Sequence, residues 1–115
     1  MANVLVDTDT FIDHLRGAHE LRAGKHRLAY SVITRSELFA GTTATDAVSQ
    51  VLAPFREFAV DRAVAERAGR IRRDANLRLP DALIAATALE HGLNLATRNH
   101  ADFTPVTGLR LRALR

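Results

Sequence analysis

The chain alternates between short apolar runs and longer stretches in which apolar residues recur at helical spacing. The run Val4 to Val6 ends in an acid and a threonine, which predicts a buried strand that meets a turn. The other apolar runs predict further strands, and the last of them alternates apolar residues with arginines, as an edge strand does. The predicted strands cover residues 3–7, 28–33, 57–60, 94–97 and 109–114.

Helices are predicted between these strands from periodicity and end signals. Thr34-Arg35-Ser36-Glu37 matches the capping box that starts a helix, so a helix is expected from there towards Gly41. Residues 61–76 show an amphipathic pattern with a strongly basic outer face, a face that is usually just solvated. Pro80 interrupts the pattern, Asp81 is expected to open a new helix, and Gly92 caps its end. Further helices are predicted up to Gly17 and at 46–52.

Strands that alternate with helices predict an α/β fold, with a mainly parallel sheet of four to five strands flanked by helices. The 115 residues suit one domain, which we expect to span 1–115. No apolar run approaches the roughly 20 residues needed to cross a bilayer, so membrane insertion is not expected. The beginning MANVLVDTDT has no secretory pattern, which predicts a cytoplasmic protein.

The composition limits the chemistry. There is no cysteine, which excludes disulfides, thiolate nucleophiles and sulfur ligands of zinc. The five histidines lack the spacing that places two rings on one helical face, which argues against zinc. A net charge of +3, carried by arginines except for Lys25, suits phosphate contacts, although a GC-rich genome would give the same bias. The charge alone therefore does not establish nucleic-acid binding.

Four acids are candidates for one site. Ligands of open parallel sheets bind beyond the carboxyl ends of the strands. Asp7 closes the first strand, Glu37 lies in the first helical turn after the second, and Asp102 lies in the loop after the fourth. Asp81 reaches this edge if the chain folds back, because it begins the helix that leads into the fourth strand. Converging carboxylates need a hard divalent cation, which predicts that these four hold Mg²⁺ or Mn²⁺.

Taken one at a time, each acid has a local explanation. Asp7 and Asp9 fit turn or cap positions, Glu37 fits the return half of its capping box, and Asp81 fits a helix dipole. Asp13 is expected to be an exposed helical charge. The hypothesis of a metal site therefore depends on the set of acids and on their meeting in space.

The segments VLVDTDTFID, SVITRSELFAG, LPDALIAATALEHGLNLATRN and ADFTPVTGL together resemble the PIN-domain family, and specifically VapC-type toxins of bacterial toxin–antitoxin modules. The resemblance spans nearly the whole chain. It implies a PIN-like domain with endoribonuclease activity that depends on Mg²⁺ or Mn²⁺, in which Asp7, Glu37 and Asp81 are metal-binding catalytic acids. It also implies an RNA substrate, a VapB-like antitoxin that blocks the site, and a homodimer.

Two positions depart from the family pattern. Asp9 stands where many relatives carry Asn or Ser, so it either adds a charge at the metal or caps the following helix. Asn99 occupies a position that is often Asp in the wider family, and we assign the fourth acidic position to Asp102. Phe39 and Phe55 are among the apolar residues on short segments that line either a partner groove or the core, with the core as the simpler interpretation.

Two other functions fit parts of the chain. Asp7-Thr8-Asp9-Thr10 also matches the DxDxT pattern of phosphatases with an aspartate nucleophile, but these enzymes need a late lysine, and Lys25 precedes the second strand. The second alternative is a noncatalytic RNA-binding or partner-binding module that uses the basic helix and needs none of the acids. Divalent-metal binding that requires the acids distinguishes the nuclease from this module.

Overall fold

The computed structural model describes residues 2–114, so that Met1 and Arg115 lie outside the described residues. Within this range the chain forms five strands and six helices, which alternate for most of its length. In chain order they are β1 (Asn3–Val6), α1 (Thr8–Leu15), β2 (Arg27–Ser31), α2 (Val32–Ala40), α3 (Thr45–Leu52), β3 (Arg56–Phe58), α4 (Arg62–Ala75), α5 (Leu79–Glu90), β4 (Asn94–Ala96), α6 (His100–Phe103) and β5 (Leu111–Arg112).

The five strands form one sheet in the order β3-β2-β1-β4-β5, and every neighbouring pair is parallel. In the centre, Leu5 of β1 lies opposite Ala29 of β2 on one side and Leu95 of β4 on the other. Parallel neighbours require crossover connections, and the helices supply them. The predicted α/β fold with a parallel sheet flanked by helices is confirmed.

The two faces of the sheet carry two separate cores, because successive side chains of a strand point to opposite faces. Leu5, Ala29 and Leu95 face α4 and α5, where they pack against buried residues such as Val64 and Ile84. The intervening residues face the opposite way, where they pack against α1, α2 and α3; these residues are Val4, Val6, Leu28, Tyr30 and Ala96. The fold is thus a sheet between two layers of helices.

Helix α5 packs directly on the sheet. Six of its residues are buried, and four of these are alanines, whose small side chains let the helix approach the strands closely. Because α4 covers its other side, α5 needs no polar face. Among residues 2–114, no helix combines the length and the apolar character that crossing a bilayer requires.

Two predicted helix starts are wrong. Helix α2 begins at Val32 because Ser31 caps it, accepting a hydrogen bond from the backbone N–H of Ile33. Thr34 and Glu37 therefore lie inside the helix and do not form its capping box. Helix α5 begins at Leu79, and its proline lies in the first turn, where a missing N–H costs no hydrogen bond. The predicted helix 61–76 is confirmed, with Asp61 and Asn76 as its caps.

Candidate active site

The strand order creates a crevice at one edge of the sheet. From β1 the chain moves outward through β2 and β3, then crosses back to place β4 on the other side of β1. Ligands of open α/β sheets bind beyond the carboxyl ends of the strands at such a reversal. The residues that follow β1 and β4 meet there, which brings Asp7, Thr8 and Asp9 beside Thr97 and Asn99.

Asp7 is the most buried carboxyl of this edge, with 5% of its surface exposed. Its Oδ1 accepts a hydrogen bond from the backbone N–H of Thr8 at 2.8 Å, and its Oδ2 accepts one from the Thr97 hydroxyl at 2.8 Å. Burial, and then the charge of Asp9, raise the pKa of the Asp7 carboxyl from 3.8 to about 7. The two hydrogen bonds lower this pKa but do not offset the other effects, and Asp81 raises it further.

Asp9 lies in the first turn of α1 and points into the same crevice. Its Oδ2 accepts a hydrogen bond from the side-chain amide of Asn99 at 2.9 Å and is 3.3 Å from the Thr97 hydroxyl. The Arg98 guanidinium lies 3.7 Å from the same oxygen. The Asp9 carboxylate is therefore part of the site, in addition to its place in the first turn of α1.

Asp81 reaches this edge from a helix that precedes a strand, whereas Asp7 follows one. It lies in the first turn of α5, and its charge raises the pKa of Asp7, so the two carboxyls are electrostatic neighbours. Its Oδ2 also accepts two hydrogen bonds of 3.3 Å from the largely exposed Arg78. The expected folding back of the chain, on which the placement of Asp81 depended, is present.

Glu37 lies on the second turn of α2 and reaches the crevice through two threonines. The Thr8 hydroxyl donates to Glu37 Oε1 at 2.7 Å and lies 2.9 Å from the Thr34 hydroxyl. Because the single Thr8 proton goes to the carboxylate, Thr34 must donate to Thr8. This chain ties Glu37 to the end of β1, and among the contacts within residues 2–114 its Oε2 accepts no hydrogen bond.

Asp102 is placed differently from the other three predicted acids. It lies on the one-turn helix α6, where its side chain is exposed. Within the described residues its carboxyl makes no hydrogen bond or ion pair, and it is not among the groups that shift the pKa of Asp7. The nearest polar neighbours of the Asp7–Asp9 pair from this part of the chain are Thr97 and Asn99.

The donor set fits a hard divalent cation, because carboxylate oxygens are the ligands that such ions prefer. Asp7 is buried beside two other carboxylates, whose charges raise its pKa, and these two carboxylates, Asp9 and Asp81, are contacted by Arg98 and Arg78. Across residues 2–114, however, no three His, Cys, Asp or Glu side chains are already gathered closely enough to hold one ion. The arrangement thus concentrates negative charge that a cation would compensate.

Two features of this edge were missed by the sequence reasoning. Thr97 donates to Asp7 and accepts a hydrogen bond from the backbone N–H of Asn99, so it connects the ends of β1 and β4. Asp13, expected to be exposed, is buried and accepts a 2.7 Å hydrogen bond from Arg98. A polar residue directly after a buried strand was the available signal for Thr97. Nothing in the local sequence indicates the pairing of Asp13 with Arg98.

Comparisons with known proteins agree with this fold and show the family. A family model described as the PIN domain matches residues 4–107. Ribonuclease VapC10 of Mycobacterium tuberculosis is 42% identical over 109 residues, an alignment that covers 84% of this chain and 82% of the relative. A chain of a toxin-antitoxin complex from Klebsiella pneumoniae superposes with a TM-score of 0.80 at 34% identity, covering 92% of this chain and 94% of that one.

DNA-bound VapBC from Salmonella typhimurium gives a TM-score of 0.84 at 24% identity, covers 98% of both chains, and supports the fold alone. The chain belongs to the PIN-domain family. Within that family it is a homologue of the VapC ribonucleases. The predicted family is confirmed, and the phosphatase interpretation of Asp7 to Thr10 has no support from these relatives.

Proposed function

We propose that this protein is a metal-dependent endoribonuclease, the toxin of a VapBC-like toxin–antitoxin module, that hydrolyses RNA phosphodiester bonds with Mg²⁺ or Mn²⁺. The observation that carries the proposal is the buried Asp7 carboxyl, which has a pKa of about 7 beside Asp9 and Asp81 at the reversal point of the sheet. The 42% identity to a named ribonuclease supports the substrate class.

Asp7 and Asp81 would hold the cation, and Asp9, whose charge also raises the pKa of Asp7, would contribute a third carboxylate once the side chains move closer around the ion. Glu37 and Asp102, the other predicted acids, stay predictions as ligands in this proposal. A divalent cation held by these carboxylates would supply polarisation of a phosphoryl oxygen and a more acidic water. The exposed position of Asp102 makes Asp9 the better candidate for the fourth acid.

The other residues of the edge would orient these acids and move a proton. Thr97 and the backbone N–H of Thr8 fix both oxygens of Asp7, which leaves the outer lone pairs of the carboxylate for a ligand. Thr8 fixes Oε1 of Glu37, so Oε2 is the atom that can accept a proton from an attacking water. Asn99 fixes the Asp9 carboxylate in the same way.

The test is cleavage of a structured RNA by the purified protein in Mg²⁺, in Mn²⁺ and in excess chelator. Wild-type protein is expected to cut only with metal, and Asp81→Asn to lose at least about a hundredfold in rate, the order of magnitude that general acid–base or metal assistance contributes. Glu66→Gln, an exposed carboxylate on α4, is the matched control and should cut like wild type. Equal cutting in metal, in chelator and by Asp81→Asn would point to a contaminating nuclease and refute the proposal.

The partner is proposed to be a VapB-like antitoxin, and the toxin itself is proposed to form a homodimer. The Klebsiella pneumoniae relative was solved as a toxin-antitoxin complex. On this chain Phe39 of α2 and Leu79 of α5 are 40% and 49% exposed, so both side chains are accessible to a partner. Co-expression with a VapB-like antitoxin and size measurement of the purified complex test both proposals, and a monomer that binds no such protein would contradict them.

A further inference from the structure

A second polar cleft lies at the opposite edge of the sheet, where the strands begin. It has a volume of about 640 Å³ and is lined by residues at the amino ends of β1, β2 and β3 and at the carboxyl end of α5. Two arginines and two histidines, Arg27, Arg56, His26 and His91, line it, and no aspartate or glutamate does. This volume falls within the range that small-molecule sites occupy.

The strand register places the two arginines on the same face. Arg27 pairs with Asn3 and lies two residues before Ala29, which pairs with Arg56. Paired residues share a face, and so do residues two apart along one strand. Arg27 and Arg56 therefore stand on adjacent strands on the face that α4 and α5 cover. Both side chains are at the open end of that face, and both are exposed.

Phe58 holds two flat groups of the cleft in position. The guanidinium carbon of Arg56 lies 4.4 Å from the centre of the Phe58 ring, and the imidazole of His91 lies 4.3 Å from the same centre at an angle of 36°. Phe58 itself is 8% exposed, so its ring is fixed in the core. A flat group that is already positioned loses little freedom when a planar ligand stacks on it.

The positive charge of the cleft is not compensated within the described residues. Neither Arg27 nor Arg56 forms an ion pair there, in contrast to five other arginines. The carbonyl end of α5 carries about half a negative elementary charge, which offsets only about a quarter of the two guanidinium charges. Arginine forks without a carboxylate partner are suited to bind phosphate groups.

We propose that this cleft binds a nucleotide of single-stranded RNA, with its phosphate on Arg27 and Arg56 and its base stacked on the exposed imidazole of His91. Single-stranded RNA is recognised by stacking of unpaired bases on aromatic, histidine or guanidinium planes together with phosphate contacts. An acidic peptide would use the arginines but not the flat surface that Phe58 holds in place. This proposal rests on the proposed function in that it takes the ligand to be RNA, the substrate proposed above, and adds contacts with it at a second edge of the protein.

The experiment measures RNA binding without cleavage. In the Asp81→Asn background and in chelator, an unstructured labelled oligoribonucleotide of roughly ten nucleotides is titrated by fluorescence anisotropy at several salt concentrations. The double variant Arg27→Gln/Arg56→Gln should bind at least about tenfold more weakly, and the slope of log affinity against log salt should fall by about 1.4, for two lost phosphate contacts on a single strand. His91→Ala should weaken binding by about tenfold with an unchanged salt slope.

The matched control removes the same charge from another surface. Arg62→Gln/Arg73→Gln, two exposed arginines of α4, should change affinity less than about threefold, since charge alone acts weakly at a distance. Equal losses in the two double variants would overturn the assignment, as would a polyglutamate peptide that competes as well as RNA at equal charge. Cleavage by the wild-type protein is measured separately, so a protein that binds RNA through this cleft but does not cut it refutes only the proposed activity.

Discussion

Replacing Asp7 by asparagine removes a charge from a carboxyl that the fold buries, so the metal-free protein should become more stable. In the folded chain the pKa of Asp7 is about 7, against 3.8 for an ordinary aspartate. The folded state therefore binds the proton more tightly than the unfolded state. For an acid this means that stability is lost as the pH rises from about 4 to about 7 and is constant above that range.

The magnitude follows from the two pKa values. Each difference of one in pKa corresponds to about 1.4 kcal/mol, so the ionised carboxyl costs about 4 kcal/mol above pH 7 and about 2 kcal/mol at pH 5. Asparagine can replace Asp7 without losing its hydrogen bonds. Its oxygen accepts from the backbone of Thr8, and its NH₂ group donates to Thr97, whose hydroxyl proton turns towards Asp9, 3.3 Å away.

The assay is thermal unfolding of wild type and Asp7→Asn at pH 5 and pH 8, in chelator and with millimolar Mg²⁺. In chelator at pH 8 the variant should melt higher, by roughly 4 to 8 °C for each kcal/mol gained, and the gain should be about half as large at pH 5. Added Mg²⁺ should stabilise wild type and not the variant, because a ligand stabilises only the state that binds it.

The exposed carboxylate Glu66 provides the control, since Glu66→Gln makes the same chemical change without burial and should shift stability by less than about 0.5 kcal/mol. An Asp7→Asn variant that is no more stable than wild type at pH 8 in chelator would refute the reasoning. It would mean that the folded protein already compensates the charge of Asp7, and the need for a cation at this edge would disappear.

Three further predictions concern residues that hold the elements around the site in position. Thr97→Val should cost about 1 to 3 kcal/mol in urea unfolding at pH 8 because the carboxylate of Asp7 loses a donor, whereas Thr97→Ser should stay near wild type. Arg98→Gln should cost about 1 kcal/mol, limited because Arg98 is 56% exposed, and a double-mutant cycle with Asp13→Asn should recover that coupling; zero coupling would show that the pair contributes nothing. Ser31→Ala should cost about 1 kcal/mol through loss of its cap, and unchanged stability would contradict that assignment.

The sequence predicted the elements better than their ends. Buried strands and amphipathic helices are defined by a periodicity over many residues, and the packed structure buries the residues that this periodicity marks. A helix start depends on which of several capping residues forms its hydrogen bond. At α2 the sequence predicted a cap at Thr34, whereas Ser31, the last residue of β2, caps the helix. That shift of three residues places Glu37 on the second turn, facing the end of β1.

The candidate site could be predicted only in part, because local signals identify single residues but not the strand order that brings them together. Asp7 was identifiable because it ends a buried strand, which is a local signal. Thr97 lies 90 residues further along the chain, and its contact with Asp7 depends on β4 crossing back to lie beside β1. A parallel sheet was predictable from alternation, but its strand order was not. The polar residues that connect the two strand ends were therefore found only in the structure.

The two edges of the sheet carry opposite charge, and they are too far apart to neutralise each other. From Asn3 to Asp7 the chain rises four steps of about 3.3 Å, or about 13 Å, which exceeds the screening length of about 8 Å at physiological salt. Accordingly, neither Arg27 nor Arg56 is among the groups that act on the pKa of Asp7. The charges of Arg27 and Arg56 therefore do not relieve the acids across this distance, and both guanidinium groups stay available for phosphate groups.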